Sequence, residues 1–295
     1  MKAFNYGGQA VIEGVMMRGQ RAVVTAVRRP GGGIAMDARP LSAVLNGRAR
    51  RIPLVRGILV LVETMVLGIK SLMFSAEVST EEEEEQLSGR ATGGIVAGSI
   101  AFAVAVFFVA PLFLTRTLDG YIGSSIVFHL VEGFIRLAIF LAYLKILNLV
   151  PGLGRLFAYH GAEHKAVNAY EHGVPLEVES VRRFSTAHTR CGTSFLFVVM
   201  IVAIIVFAFI GRPSLWIMIL SRIALVPVIA GLGYEITQFG ARHMESKFVR
   251  AFLSPGLWLQ RLTTREPDDD QLEVGIAALR KAVEMDRLEE AEGVS

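Results

Sequence analysis

Residues 160–164 read His-Gly-Ala-Glu-His, the His-x-x-Glu-His spacing by which one class of zinc hydrolases holds its metal. On a helix, His160 and His164 stand one turn apart on one face, with Glu163 beside them. Two imidazoles so placed can grip one divalent ion while a carboxylate polarises a bound water. Such a site asks for a third or fourth N, S or O ligand. Among the six histidines and one cysteine of the chain, His188 and Cys191 sit at i, i+3 spacing, and Glu235 is a carboxylate alternative. Glu163 can be general base or ligand. The competing reading is a hydrogen-bonded polar cap over a helix bundle, with Cys191 a small buried residue rather than a nucleophile. A single cysteine excludes an intrachain disulfide.

A second group lies in an apolar stretch. Glu132 and Arg136 are an i, i+4 pair, and Arg222 falls at a similar depth in another apolar segment. Charges inside apolar segments turn inward and pair. A Glu132–Arg136–Arg222 cluster is expected, with His129 nearby, acting as helix-association glue or as a polar pathway or headgroup site.

The elements that must position these groups follow from composition. The chain has 295 residues, 53% hydrophobic and 19% charged, with a mean hydropathy of +0.49. That balance points to a polytopic membrane protein. Four spans are expected at Thr92–Leu114, Ser125–Val150, Ser194–Ile210 and Leu215–Phe239. Lys and Arg number twelve in residues 1–91, five in 151–193 and eight in 241–295, against one in each short turn between paired spans. The positive-inside rule then puts both termini and the central loop in the cytoplasm. No signal-peptide pattern opens the chain. His160, His164, His188, Cys191 and Glu235 all fall in one inner-leaflet layer.

The expected fold class is an all-α polytopic membrane protein. It comprises a four-helix transmembrane bundle, an interfacial or re-entrant helix, and a small N-terminal cytoplasmic β element. The divisions are 1–51 (β-rich), 52–91 (interfacial helix and acidic linker), 92–150 (two spans), 151–193 (His-rich loop), 194–240 (two spans) and 241–295 (tail). Arg21–Arg28, a glycine turn and Ile34–Arg39 read as a hairpin, with Gln9–Met17 a further strand. Within 53–76, Arg56, Glu63 and Lys70 recur every seven residues as one polar stripe, which favours a helix in the interface plane. Glu81–Glu85 reads as a solvated linker. Asp268–Asp270 cap a tail helix whose stripe is Leu272, Ile276, Leu279 and Val283.

Three runs carry a resemblance: Tyr6–Gly19 (YGGQAVIEGVMMRG), Tyr159–Lys165 (YHGAEHK) and His188–Phe195 (HTRCGTSF). Together they resemble the YqhQ-like family of bacterial membrane proteins, a family of unknown function described as predicted metal-dependent enzymes. The resemblance implies a bacterial inner-membrane protein and no particular reaction. In the first run Glu13 and Arg18 are the polar groups to watch, as a structural pair or as part of the inner-face site. The run lacks a nucleotide-loop pattern.

The leading expectation is a cytoplasmic-face site for a divalent metal, zinc first, hydrolysing a membrane-associated substrate, a protein or a lipid. The alternative is a non-enzymatic insertion or assembly factor docking its basic face at ribosome or translocon. A third reading is a transporter, which four spans would support only as a homo-oligomer.

Overall fold

The computed structural model describes residues 6–41, 52–80 and 89–292. The Glu81–Glu85 run lies outside them. Most of the chain is helical, with one small sheet.

The sheet is an antiparallel meander of β1 (Gly7–Val11), β2 (Gly14–Arg18), β3 (Ala22–Arg28) and β4 (Ile34–Pro40). The β3–β4 turn uses Gly32 and Gly33 at φ 92° and 78°, a region glycine enters without steric penalty. The expected single strand over Gln9–Met17 is instead two strands. Ile12 and Glu13 make a tight turn, Val11 pairs with Gly14, and Glu13 takes φ 50°. Ion pairing of its side chain, described below, compensates a conformation disfavoured for a residue with a Cβ.

Eleven helices follow among the described residues. They are α1 (Val55–Ser79), α2 (Gly89–Val104), α3 (Ala110–Arg116), α4 (Ser125–Leu147), α5 (Leu153–Glu171), α6 (Val178–Val181), α7 (Gly192–Ile210), α8 (Leu215–Ala224), α9 (Val226–Arg242), α10 (Lys247–Leu259) and α11 (Asp269–Glu292). Four stretches are long and apolar enough to cross a membrane: α1, α2–α3 together, α4 and α7. The pair α8–α9 makes a fifth if counted as one span. The continuous helix expected over Leu215–Phe239 is bent by 48°. Pro227 near the start of α9 lacks an amide hydrogen and crowds the preceding turn, which breaks the ladder there. Phe134, Phe209 and Trp216 stand 73%, 88% and 78% exposed, so these helices present large apolar groups outward.

Both faces of the sheet are covered, which is why β2 and β3 read as nearly continuous apolar runs rather than as a clean alternation. Val15, Met17, Val24 and Ala26 pack with Ala162 and Ala166 of α5 and Leu272 and Leu279 of α11. Met16, Val23 and Val27 face Leu67, Phe74 and Val78 of α1. Residues 151–193, expected as a loop, therefore contain α5, a core helix of this unit. The tail helix begins in a reciprocal cap: Gln271 N–H donates to Asp268 Oδ1 at 2.8 Å, and Asp268 N–H to Gln271 Oε1 at 3.0 Å. Near its end the buried Asp286 accepts from Tyr6 Oη, Gln20 N and Arg21 N at 2.8–2.9 Å, which pins the β2–β3 turn.

Two members of the polar stripe of α1, Arg56 and Glu63, turn toward protein, whereas Lys70 is exposed. Arg56 pairs with Glu235 of α9, Glu63 with Arg18 of β2 at 2.7 Å, and Ser71 accepts from Thr25 at 2.8 Å. The first turns of α1 thus lie on α9 and the rest roofs the sheet. Sequence spacing finds the stripe; what it faces is a tertiary property. On α10 the exposed Phe248, Phe252 and Trp258 form an outward apolar stripe, while Leu253, Gly256 and Leu259 are buried.

Candidate metal centre

The His-x-x-Glu-His run lies in the middle of α5. Gly161 allows the chain before α11 to approach: a Cβ there would lie 2.2 Å from the Arg265 carbonyl oxygen. That approach brings main-chain acceptors to the histidines. His160 Nδ1–H donates to the Thr263 carbonyl at 2.8 Å, and His164 Nδ1–H to the Thr186 carbonyl at 2.5 Å. That leaves Nε2 as the unprotonated nitrogen of each neutral ring. His160 Nε2 lies 3.4 Å from Cys191 Sγ, and the two rings are 4.4 Å apart.

The ligand atoms of His160, His164 and Cys191 all lie within 4.8 Å of one another. Tetrahedral coordination at about 2.0–2.3 Å separates ligand atoms by roughly 3.3–3.8 Å, so no edge need close by more than about 1.5 Å. Two imidazoles and a thiol form a donor set suited to a borderline-soft ion such as Zn²⁺. Glu163 is buried beside them. Its Oε1 accepts the Gly8 amide of β1 at 2.9 Å, and its Oε2 faces His164 Nε2 at 3.4 Å.

The other expected ligands are placed elsewhere. His188 is a neighbour, its ring 5.7 Å from that of His164, but its Nε2 meets Glu171 Oε2 at 3.3 Å. Glu171 also binds Arg190. Burial pushes the Glu171 carboxyl up, and the hydrogen bonds from His188 and Arg190 more than reverse this, holding it below the usual range. Glu235 is taken by Arg56 in a two-pronged pair and by the Leu54 amide at 3.3 Å. Both of its oxygens are engaged there, and depth in the chain alone did not show it.

Glu13 and Arg18 do not pair with each other. Glu13 receives both prongs of Arg155, at 2.7 and 2.5 Å, and Tyr159 Oη at 3.3 Å. The Arg155 hydrogen bonds hold its carboxyl below the usual range, and Tyr159 is pushed up by burial. The first run of the chain thus ties the sheet to α5 just before His160, through Glu13, and between the two histidines, through Gly8 and Glu163.

Several positioning residues carried no local signal. Gln260, buried between α10 and α11, accepts from His188 N at 2.9 Å and donates to His188 O at 2.8 Å and Ser194 Oγ at 2.7 Å. Thr263 Oγ1 meets Thr193 Oγ1 at 2.9 Å, and Asn148 holds the Leu262 carbonyl at 2.6 Å. A polar Gln-x-x-Thr-Thr run after an apolar helix was the available hint.

A cavity of about 530 Å³ opens beside the cluster, between β1, α1, α5, the start of α7 and α9, with His160 in its wall. Among the apolar helices, Glu132, Arg136, Arg222 and His129 meet at 1% exposure or less. Glu132 accepts from Arg136 at 2.7 Å and from Arg222 at 2.6 Å, with His129 Nδ1 at 3.1 Å. Arg136 Nε donates to the Phe107 carbonyl at 2.9 Å, four residues before Pro111, which has no amide hydrogen to offer it.

Fold and site define an apolar-helix protein with a sheet-capped histidine–cysteine cluster. The chain belongs to the family described as protein of unknown function DUF1385, which matches residues 52–285. It is 35% identical over 302 residues to the uncharacterized protein YqhQ of Bacillus subtilis (strain 168), covering 97% of this chain and 94% of that protein. No solved structure matches the chain. Neither the family description nor the relative's name assigns a metal or a reaction.

Proposed function

We propose that this is a multi-pass protein of the bacterial plasma membrane that binds one divalent transition metal, zinc by its donor set, and hydrolyses a membrane-associated substrate. The observation that carries the metal reading is the tethering of both imidazoles. Each donates Nδ1–H to a main-chain carbonyl, which favours the tautomer with Nε2 unprotonated, as metal-binding histidines are held; that nitrogen of His160 lies 3.4 Å from Cys191 Sγ. Support for the membrane placement comes from the long apolar helices with outward apolar faces. The bias of Lys and Arg toward both termini and residues 151–193 favours a cytoplasmic sheet unit.

When bound, the ion supplies Lewis-acid polarisation of a carbonyl or phosphoryl oxygen. The chain's own residues do the rest. His160 presents the cluster to the cavity. Glu163, with one oxygen fixed by the Gly8 amide, is the group to take a proton from water. Cys191, buried like His164, completes the donor set. His188 and Glu171 form a hydrogen-bonded pair behind His164 that holds Arg190 at the cavity wall. The test is elemental analysis of untagged protein: near-stoichiometric metal that falls below a tenth in His160→Ala and His164→Ala supports the reading. Metal-free protein that still complements a deletion strain ends it.

A further inference from the structure

The cavity beside His160 has a chemical polarity of its own. Much of its lining is apolar: Val60 and Leu61 of α1, Leu156 and Phe157 of α5, Phe195 and Leu196 of α7. Its basic lining consists of Arg190 and His160, and no Asp or Glu lines it. Glu171, which holds Arg190, stands behind the wall. Gly192 and Thr193 line the same end. They open the 19-residue α7, whose start carries no side-chain cap, so its first amides and the positive end of its dipole meet the cavity. Neutral polar groups, Thr64, Tyr234, Thr237 and Gln238, complete the lining. At 45% exposure Leu196 carries the lining out to the surface of α7, and on α1 Val62 and Met65 stand outward at 49% and 42%.

A cation, an imidazole and a helix start at one end call for an anion. An apolar lining that reaches the surface of α7 calls for an acyl chain, because an extended peptide would bring unpaired amides into it. The volume falls within the range of about 300–1,000 Å³ typical of small-molecule sites, enough for a headgroup and the upper part of one chain. We propose that this cavity binds an anionic phospholipid, phosphate toward Arg190 and the start of α7, acyl chain along α1 and α7. The lipid's role as substrate rests on the hydrolase reading; its binding does not.

The experiment uses full-length protein, delipidated in detergent, and measures binding of labelled phosphatidylglycerol, phosphatidylcholine with the same chains, and glycerol 3-phosphate. Each is measured with metal present and after chelation. Phosphatidylglycerol is expected to bind at least tenfold tighter than the other two, with or without metal. Thr64→Trp and Leu61→Trp, which fill the cavity from α1, should each weaken it at least tenfold. Val62→Trp on the outward face should not, and Arg190→Gln should bring phosphatidylglycerol to the phosphatidylcholine level. Equal binding of the two lipids, or no effect of either filling substitution in protein that melts normally, overturns the proposal. So does glycerol 3-phosphate binding as tightly as the lipid. Lipid binding abolished by chelation alone also overturns it, leaving the metal reading intact; binding that persists in metal-free, inactive protein upholds it while the hydrolase reading fails.

Discussion

Replacing Glu132 by Gln tests what the buried charge cluster does. The carboxylate is the acceptor that Arg136 and Arg222 share, and the three side chains are 1%, 1% and 0% exposed. The amide keeps the volume but removes the negative charge, leaving two guanidiniums buried side by side. Breaking a buried ion pair by removing one partner costs about 3–5 kcal/mol. At roughly 2–4 °C per kcal/mol for a chain of this order of size, the melting point should fall on the order of 10 °C. Cys191 supplies the assay: it is the single cysteine and 4% exposed, so a fluorogenic maleimide reports unfolding in detergent without added labels. The companion variant Glu132→Leu/Arg136→Leu/Arg222→Met removes all three charges. A buried pair replaced by packed apolar groups is often neutral or stabilising by about 1–4 kcal/mol, so this variant should melt near wild type and keep function. A triple variant that melts normally but loses function would refute the tie and favour a polar pathway. An unshifted Glu132→Gln would refute the burial argument itself.

Three further outcomes follow from the sheet unit and the site. Glu13 is held below its ordinary value of 4.5 by Arg155, so its contribution to stability is present above that value and is lost as pH falls through the lowered one. Glu13→Gln should therefore flatten the acid limb of a melting-temperature profile below about pH 5, while an unchanged limb would contradict the pairing. Gly161→Ala puts a Cβ 2.2 Å from the Arg265 carbonyl; it should destabilise by about 1–3 kcal/mol and, by displacing the Thr263 carbonyl from His160, weaken metal retention about 10–100-fold, read by competition with a chelating dye. Gln260→Ala removes three hydrogen bonds from the His188–Ser194 segment; about 1–3 kcal/mol of local stability should be lost, seen as faster alkylation of Cys191 below the melting transition.

Local chemistry made some of this architecture readable before any coordinates. Apolar length marked the long helices, Gly32 and Gly33 marked the β3–β4 turn, and the Asp268 cap with its apolar stripe marked the tail helix. The helical spacing of His160, Glu163 and His164 was equally local. What sequence did not show were contacts made at long range. The β1–β2 turn rests on Glu13 at φ 50° because Arg155, 142 residues away, holds it. Glu235 looked like a ligand by depth and is instead the partner of Arg56, 179 residues away. Gln260 has no periodicity to flag it, since its role is to clamp one irregular segment. The Pro227 bend was present as a residue and needed only the rule that proline opens a helical ladder.

The central claim is that His160, His164 and Cys191 hold one metal ion. Zinc K-edge X-ray absorption on purified, untagged protein tests it most directly. The account predicts a shell of two nitrogens at about 2.0–2.1 Å and one sulfur at about 2.3 Å, with the sulfur lost in Cys191→Ser. A shell of oxygens without sulfur, or protein active without any bound metal, would contradict it.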